Sequence, residues 1–435
     1  MSNITKLSSL KHVNFNWKLW VYILVCLIPL FIVNQVSDLP VWIGNGEAKA
    51  REILTLQVPS DNFYPVGKAL MLLPFVWLTP DFFLVVVLYL ASSAAIYYFI
   101  CRLITNKKIR LVALLGLPAN PYLVWLCYSS QDTVFELFLL LLLAYSALAN
   151  RHLIFITAGF LLCLTRPSYW VIFFGLAFFL LIKEKRNKQK SWKKYLIVFL
   201  LLPINMFFNL YAYGSSSLAR ESGITAYFSY NKYLYLALPK LDMDVFLSTK
   251  GHVEDYGAHS SAEYTQMAIK SIKENPKEVL LATMQKFDSY IFDVQKVPHL
   301  PGEYYLSKDA TSIIIGNQRL TWPLVLGNLL YEAYRSLLLI GLLLSVGVLF
   351  AHRKLGIKAF NPKNALWLLT LPWLLGLIPG LAFYTETRFK IVSELLLVPF
   401  ICLVLGSVSK DIEVGKEHAP RSGKIYPCAL TIFHM

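Results

Sequence analysis

Long apolar runs are the feature that most limits how this chain can fold. Several of them approach or exceed the roughly 20 residues that an α-helix needs to cross a lipid bilayer. They recur from about residue 19 to residue 408 of the 435. Only 15% of the residues are charged and 56% are hydrophobic, whereas a soluble domain is usually about 25% charged. The sequence therefore predicts an all-α polytopic membrane protein and argues against an ordinary soluble enzyme.

Ten transmembrane spans account for the apolar runs if the longest run is divided in two. That run, 153–182, contains Arg166-Pro167 near its middle, and a charged residue followed by a proline suits a turn between two short spans. The run at 66–78 is too short to span and is predicted to be a helix lying at the outer interface. The ten spans are about 19–36, 82–104, 111–128, 132–149, the two halves of 153–182, 195–213, 333–351, 365–384 and 391–408.

The distribution of basic residues predicts the orientation of these spans. With ten spans, most of the Lys and Arg lie in the short loops on the amino-terminal side, notably in 183–194, and few acids accompany them. Cytoplasmic loops of membrane proteins carry this excess. Both termini are therefore predicted to be cytoplasmic, in a multi-pass protein of the cytoplasmic (inner) membrane. The same distribution explains the net charge of +15 without nucleic-acid binding.

The predicted topology divides the chain into four regions. They are a transmembrane catalytic half (1–213) with its first outer loop (37–81), an outer segment (214–322), carboxyl-terminal transmembrane helices (323–408) and a cytoplasmic tail (409–435). The outer segment is nearly neutral, and its helical periodicity from Ser261 to about Phe287 breaks at Asn275-Pro276. We expect helices and irregular chain there, packed on the membrane face, and not a sheet domain. The cysteines and histidines show no metal-ligand spacing, so no zinc site is predicted.

Charged residues near the outer ends of the spans are the candidates for chemistry, because charge at membrane depth is costly and usually functional. Asp132 and Glu136 lie four residues apart and therefore share one helix face. The candidates in the first outer loop are Glu47, Lys49, Arg51, Glu52, Asp61 and Lys68, and those at span ends are Asp132, Glu136, Arg166, Glu386, Arg388, Lys390 and Glu394. Their gathering at one interface favours a functional site over scattered surface charge.

Five sequence features follow one another in an order that resembles a known family. They are the loop Gly46–Leu54 leading to the Tyr-Pro stretch Phe63–Pro74, the acid opening the fourth span in Ser129–Phe138, the turn Leu164–Pro167, the outer helix Ala268–Pro276, and Glu386–Val392 entering the last span. Over roughly residues 15–408 this order resembles the GT-C superfamily of integral-membrane glycosyltransferases. The likeness is to the bacterial relatives of the protein mannosyltransferases, the glycosyltransferase family 39 group.

This resemblance implies an inverting glycosyltransferase acting on the outer face of the membrane. It would move a hexose or pentose from a polyprenyl-phosphate donor to an envelope glycan, a lipid or a protein. The family's loop acid is most often an Asp followed by a tyrosine, whereas this loop has Glu47 followed by an alanine. Asn45 or Asp61 are the other residues that could occupy the equivalent place.

The chemistry of sugar transfer assigns roles to the candidate residues. A positioned carboxylate takes the proton of the acceptor hydroxyl, which typically contributes a factor of about 10²–10⁴, and Arg or Lys stabilises the leaving phosphate. The predicted catalytic residues are Glu47, Asp61 and Asp132, the predicted phosphate-binding residues are Arg51, Lys68, Arg166, Arg220 and Arg388, and the supporting residues are Tyr64, Glu136 and Glu386. No cofactor is firmly predicted. A divalent metal near Glu47 and Asp61 is compatible with these residues, but their spacing does not require one.

Three other functions stay open at this point. A glycolipid flippase or transporter would use charged or Gly/Pro-broken helices near mid-membrane and paired repeats. In this sequence mid-span charges are few and no internal repeat is visible. A polysaccharide polymerase would share the outer-facing arginines and the long outer loop, but would use a diphosphate-linked donor. A non-catalytic envelope assembly factor is the third, because the loop acid departs from the family pattern.

Overall fold

The computed structural model is helical apart from one short pair of strands. The residues that it describes are 17–36, 46–58, 66–73, 76, 81–104, 106–117, 120, 132–218, 221–232, 234, 260–291, 304–306, 313–315, 321–355, 363–382 and 387–406. All statements below concern these residues.

Sixteen helices and two strands make up the described part of the chain. The helices are α1 (Trp17–Val36), α2 (Gly46–Leu54), α3 (Gly67–Leu72), α4 (Asp81–Leu103), α5 (Lys107–Gly116), α6 (Asp132–Leu148), α7 (His152–Thr165), α8 (Tyr169–Arg186), α9 (Trp192–Tyr213), α10 (Glu221–Ser229), α11 (Ser261–Glu274), α12 (Pro276–Ile291), α13 (Thr321–Leu355), α14 (Lys363–Ala382), α15 (Thr387–Leu395) and α16 (397–406). The strands β1 (Tyr304–Leu306) and β2 (Ile313–Ile315) pair antiparallel, with Tyr305 opposite Ile314.

Two described helices are long and apolar enough to cross a membrane. They are α9 and the Ala333–Ala351 part of α13, and only 17% and 22% of their apolar windows are buried inside the protein. A core helix of a soluble protein would bury its apolar face, whereas Phe207 on α9 and Leu343 on α13 are both 71% exposed. Four further apolar stretches of 10–17 described residues are shorter than a span. The described helices therefore support two membrane-length spans, fewer than the ten predicted.

The predicted break in the run 153–182 is confirmed. Helix α7 ends at Thr165 and α8 begins at Tyr169. Arg166 between them is extended, with φ −144° and ψ 121°, because a following proline disfavours the helical conformation. The predicted span 111–128 is described as a helix only to Gly116, and most of its remainder lies outside the described residues.

Helix α6 lies at the centre of the core. It packs against α4, α7, α14 and α15, and Leu137, Leu141 and Leu143 are wholly buried. A helix surrounded in this way needs apolar residues on every side, and after Glu136 the sequence of α6 contains no charge. Glu136 is therefore a carboxylate placed at one end of the most enclosed helix.

The outer segment contains the predicted helices and one feature that was not predicted. The break at Asn275-Pro276 is confirmed, since α11 ends at Glu274 and α12 begins at Pro276. Helix α11 starts with a capping box in which Ser260 and Glu263 bond to each other's backbone N–H, as expected for a Ser followed three residues later by a Glu. The β1–β2 pair was missed, although three consecutive β-branched isoleucines at 313–315 favour a strand.

Candidate functional site

The predicted site residues divide into three groups according to what the structure describes. Arg51, Glu136 and Arg166 have described side chains. The backbones of four others are described: Glu47 in α2, Lys68 in α3, Asp132 at the start of α6 and Arg388 near the start of α15. Asp61, Tyr64, Arg220 and Glu386 lie outside the described residues.

A carboxylate–guanidinium–phenol network joins α6 to the α7–α8 turn. Arg166 Nε donates to Glu136 Oε1, and the Tyr169 hydroxyl donates to Glu136 Oε2 at 3.0 Å. Glu136 is wholly buried, whereas the side chain of Arg166 is 15% exposed. A buried charge is tolerated only when it is paired and hydrogen-bonded, and here both carboxylate oxygens have partners. We call these three residues the Glu136 network.

Helix α3 approaches the same turn closely because of Gly67. A Cβ at position 67 would overlap the backbone of Leu164 and Thr165. Only a residue without a side chain permits this backbone-to-backbone approach. Gly67 thus brings the helix that carries Lys68 against the turn that carries Arg166.

Helix α2 is held against α3 by a small apolar cluster. Ala50 of α2 is wholly buried there with Leu72 of α3, and Phe135 of α6 packs on the cluster. Arg51 Nη2 donates to the Val76 carbonyl at 3.2 Å, which braces the chain that follows α3. Helix α2, which carries Glu47, is therefore held near Phe135, the residue that precedes Glu136 in α6.

A second network of the same kind lies between α13 and α15. Arg335 Nε donates to Glu394 Oε1 at 2.8 Å, and the Tyr331 hydroxyl donates to Glu394 Oε2 at 3.1 Å. Arg335 Nη2 also donates to the carbonyls of Tyr290 and Ile291 at 2.8 and 2.7 Å. These carbonyls are at the end of α12, where the last turn of a helix leaves carbonyl groups without intrahelical donors. We call Arg335, Tyr331 and Glu394 the Glu394 network.

The sequence analysis named Glu394 but missed its partners. Arg335 is the third residue of the apolar segment 333–351. A single arginine at the end of such a segment is ordinarily interpreted as an anchor of the span. The signal that could have found it is Tyr331, four residues earlier, because residues i and i+4 share a helix face. In the Glu136 network no such spacing links Tyr169 to Arg166, because Arg166 lies in the extended turn before the helix that Tyr169 begins.

Lys286 was also missed. It is wholly buried, and its Nζ donates to the carbonyls of Ser229 and Leu381 at 2.8 and 3.4 Å. The same Nζ lies 4.9 Å from the ring centre of Tyr230. Burial lowers the pKa of Lys286 to about 7, because desolvation disfavours the charged form.

Four of the five predicted motifs lie on α6 itself or on elements that pack on it directly or through neighbouring helices, whereas the outer helix α11 packs on α10 and α12. Helix α2 packs on α3, α3 packs on α7, and both α7 and α15 pack on α6. Carboxylates and guanidinium groups at such a meeting point have the chemistry to take up a proton and to bind a phosphate. Among the described residues no group of three or more His, Cys, Asp or Glu could hold a metal ion.

Comparison with protein-family models, with curated proteins and with solved structures finds no match to this chain. The resemblance to the membrane glycosyltransferases therefore depends on the five sequence features. The packing of the helices that carry these features is observed independently of the resemblance.

Proposed function

We propose that the protein is a membrane-embedded glycosyltransferase that uses a polyprenyl-phosphate sugar as donor at the outer face of the cytoplasmic membrane. The observation that carries the proposal is the meeting of α2, α3, the Leu164–Pro167 turn and α15 around α6. These elements come from distant parts of the sequence, and each carries a residue for which sugar transfer has a use. A common site explains why they meet.

The dimensions of α8 support the proposed topology. This helix begins beside the Glu136 network at Tyr169 and ends with Lys183, Lys185 and Arg186 in its last turn. Its 18 residues span about 27 Å at 1.5 Å per residue, close to the roughly 30 Å of a bilayer core. The candidate site and the basic loop 183–194 would then lie at opposite membrane faces. Ten spans with both termini cytoplasmic remain part of the proposal.

In the proposed mechanism the residues divide the work between proton transfer and charge stabilisation. Glu47 or Asp61 takes the proton of the acceptor hydroxyl, and Asp132 orients the acceptor or the base. Lys68 and Arg388, with Arg51 and Arg220, stabilise the leaving lipid phosphate. Arg166, held by Glu136, offers its exposed part to the same phosphate. The acceptor is an envelope glycan, a lipid or a protein.

A second candidate, transport of a glycolipid, is favoured by one observation. Helix α14 contains Pro372 and Pro379, and α9 contains Pro203. Proline-interrupted helices are common in transporters, where the freed backbone groups bind substrate. A flippase would move a fluorescent glycolipid between leaflets without releasing free lipid phosphate, and this distinguishes it from a transferase.

The direct test is donor screening with purified protein in liposomes. A panel of polyprenyl-phosphate sugars is offered together with an envelope lipid and glycan extract, and sugar lost from the donor is compared with sugar gained by the acceptor. We expect transfer by the unaltered protein and none by the Glu47→Gln, Asp61→Asn double variant. Undiminished transfer by the double variant would overturn the assignment of the base.

A pair of glycine substitutions tests whether the meeting of helices matters. Gly67→Ala should displace α3 from the Leu164–Thr165 backbone at a cost of about 1–3 kcal/mol and lower transfer by about 10²-fold, as a 1 Å misplacement can. Gly347→Ala is the matched control, because a Cβ at Gly347 has no atom within 4 Å. Equal transfer by both variants would mean that the position of α3 is irrelevant to activity.

A further inference from the structure

Helix α12 buries one lysine and exposes several large apolar residues, unlike a helix that faces water. Its buried face carries Val279, Lys286 and Tyr290, which are 8%, 0% and 2% exposed. Its exposed side carries Leu280 and Met284, which are 60% and 63% exposed. A water-facing helix buries its apolar residues and exposes its lysines. The surroundings of this exposed side are therefore expected to be apolar.

Helix α11, which precedes α12, also exposes apolar side chains. Ile269 and Ile272 are 46% and 37% exposed, and they lie within the last two turns before the bend at Asn275-Pro276. Phe287 of α12, 47% exposed, lies beyond the bend. We call the exposed apolar residues of both helices the elbow face: Ile269, Ile272, Leu280, Leu281, Met284 and Phe287.

Three exposed lysines surround the bend. Lys270, Lys273 and Lys277 are all exposed, and Lys270 lies 3.9 Å from Glu274. Apolar residues flanked by lysines are typical of helices that lie in a membrane surface, where the side chains reach phosphate headgroups while the apolar residues enter the acyl layer. Glu274 and Glu278 lie at the same bend, which therefore carries one more basic than acidic residue, a weak preference for anionic lipid.

Helix α12 packs against α14, a second helix that exposes apolar residues. The Tyr290 hydroxyl donates to the Trp373 carbonyl at 2.5 Å, near the middle of α14. Two residues of α14, Leu374 and Ile378, are themselves 46% and 53% exposed. Helix α12 thus lies alongside an apolar helix whose own outer surface is uncovered. Asp288, exposed on the same side as Met284, limits insertion to the boundary between headgroups and acyl chains.

We propose that the elbow face binds the outer leaflet of the bilayer. The apolar residues contact acyl chains, and Lys270, Lys273 and Lys277 contact the phosphates of anionic headgroups. The proposal depends on the membrane location that is part of the proposed function, but not on sugar transfer. It gives the outer segment a fixed height above the membrane through α12, whose carboxyl end Arg335 holds.

The test is the accessibility of single spin labels in liposomes of phosphatidylethanolamine and phosphatidylglycerol. Met284→Cys and Leu280→Cys are labelled in a chain without its native cysteines, and Gln266→Cys, exposed on α11, is the matched control. We expect the labels at 280 and 284 to collide several-fold more often with oxygen than with a water-soluble nickel chelate, and the label at 266 to show the reverse. A chelate preference at 280 and 284 would overturn the proposal, as would shielding from both reagents, which would indicate protein cover or a second copy.

A second measurement needs no substitution. Photoactivatable phosphatidylglycerol in the liposomes should cross-link to peptides from residues 269–287 of the unaltered chain, mapped by mass spectrometry. Cross-linking confined to other helices would overturn the proposal. Both measurements are made without donor, so an inactive protein with a lipid-contacting elbow face would contradict only the transferase proposal.

Discussion

The Glu136 and Glu394 networks have the same chemical composition but different surroundings. In each, a buried glutamate accepts from an arginine Nε on one oxygen and from a tyrosine hydroxyl on the other. The side chain of Arg335 is 2% exposed, whereas that of Arg166 is 15% exposed. A buried ion pair by itself therefore does not identify a functional site.

The difference lies in what each arginine does beyond the pair. Arg335 also donates to the carbonyls of Tyr290 and Ile291. It therefore caps the carboxyl end of α12, as cations near helix carboxyl termini do. Arg166 stands at a turn that Gly67 brings against α3. The Glu394 network is thus suited to holding the fold together, and the Glu136 network to a site where several chain segments meet.

The largest expected effect comes from removing the two arginines separately. Arg335→Ala leaves Glu394 without its ion-pair partner, and breaking a buried pair costs about 3–5 kcal/mol. It also removes the donor to two helix-end carbonyls, which adds about 1–3 kcal/mol. Arg166→Ala should destabilise less, because water can reach its position, but should abolish transfer. Thermal unfolding in detergent and the transfer assay measure the two effects. Equal destabilisation by both variants would contradict the different roles assigned to the Glu136 and Glu394 networks.

Removing the tyrosine hydroxyl of each network should have a smaller effect, and it separates the loss of stability from the loss of transfer. Tyr331→Phe and Tyr169→Phe each remove one hydroxyl that donates to a buried carboxylate, worth about 1.5–3 kcal/mol. We expect similar losses of thermal stability from both variants, while transfer falls only in Tyr169→Phe. Transfer that falls equally in both variants would place the two networks in one site.

The effect that is smallest over a single pH unit is a pH dependence of stability that arises from Lys286 in α12. The folded-state pKa of Lys286 is lowered to about 7 from 10.5, so between these values the unfolded chain binds a proton that the folded chain does not. Stability should therefore rise with pH across this interval, by at most about 1.4 kcal/mol per pH unit. Below pH 7 both states are protonated and this dependence ends. Lys286→Met should flatten the rise in unfolding temperature, and an unchanged slope would show that another group causes it.

Features that depend on neighbouring residues were predictable. The turn at Arg166-Pro167 and the break at Asn275-Pro276 follow from the proline, which restricts the residue before it wherever the chain goes. The placement of Asp132 and Glu136 on one face of α6 follows from helical spacing. The Tyr331–Arg335 spacing carried the same kind of signal, but nothing local links it to Glu394, 59 residues beyond Arg335.

The sequence by itself determined where helices break at prolines, and which segments are too apolar to face water. These properties depend on dihedral preferences and hydrophobic periodicity, which act over a few residues. Only the tertiary structure decided that Arg166 pairs with Glu136, that Arg335 holds the end of α12, and that α12 exposes its apolar side. Such choices depend on which distant segments pack together, and in a chain with many similar leucine-rich helices the apolar pattern alone does not distinguish one neighbour from another.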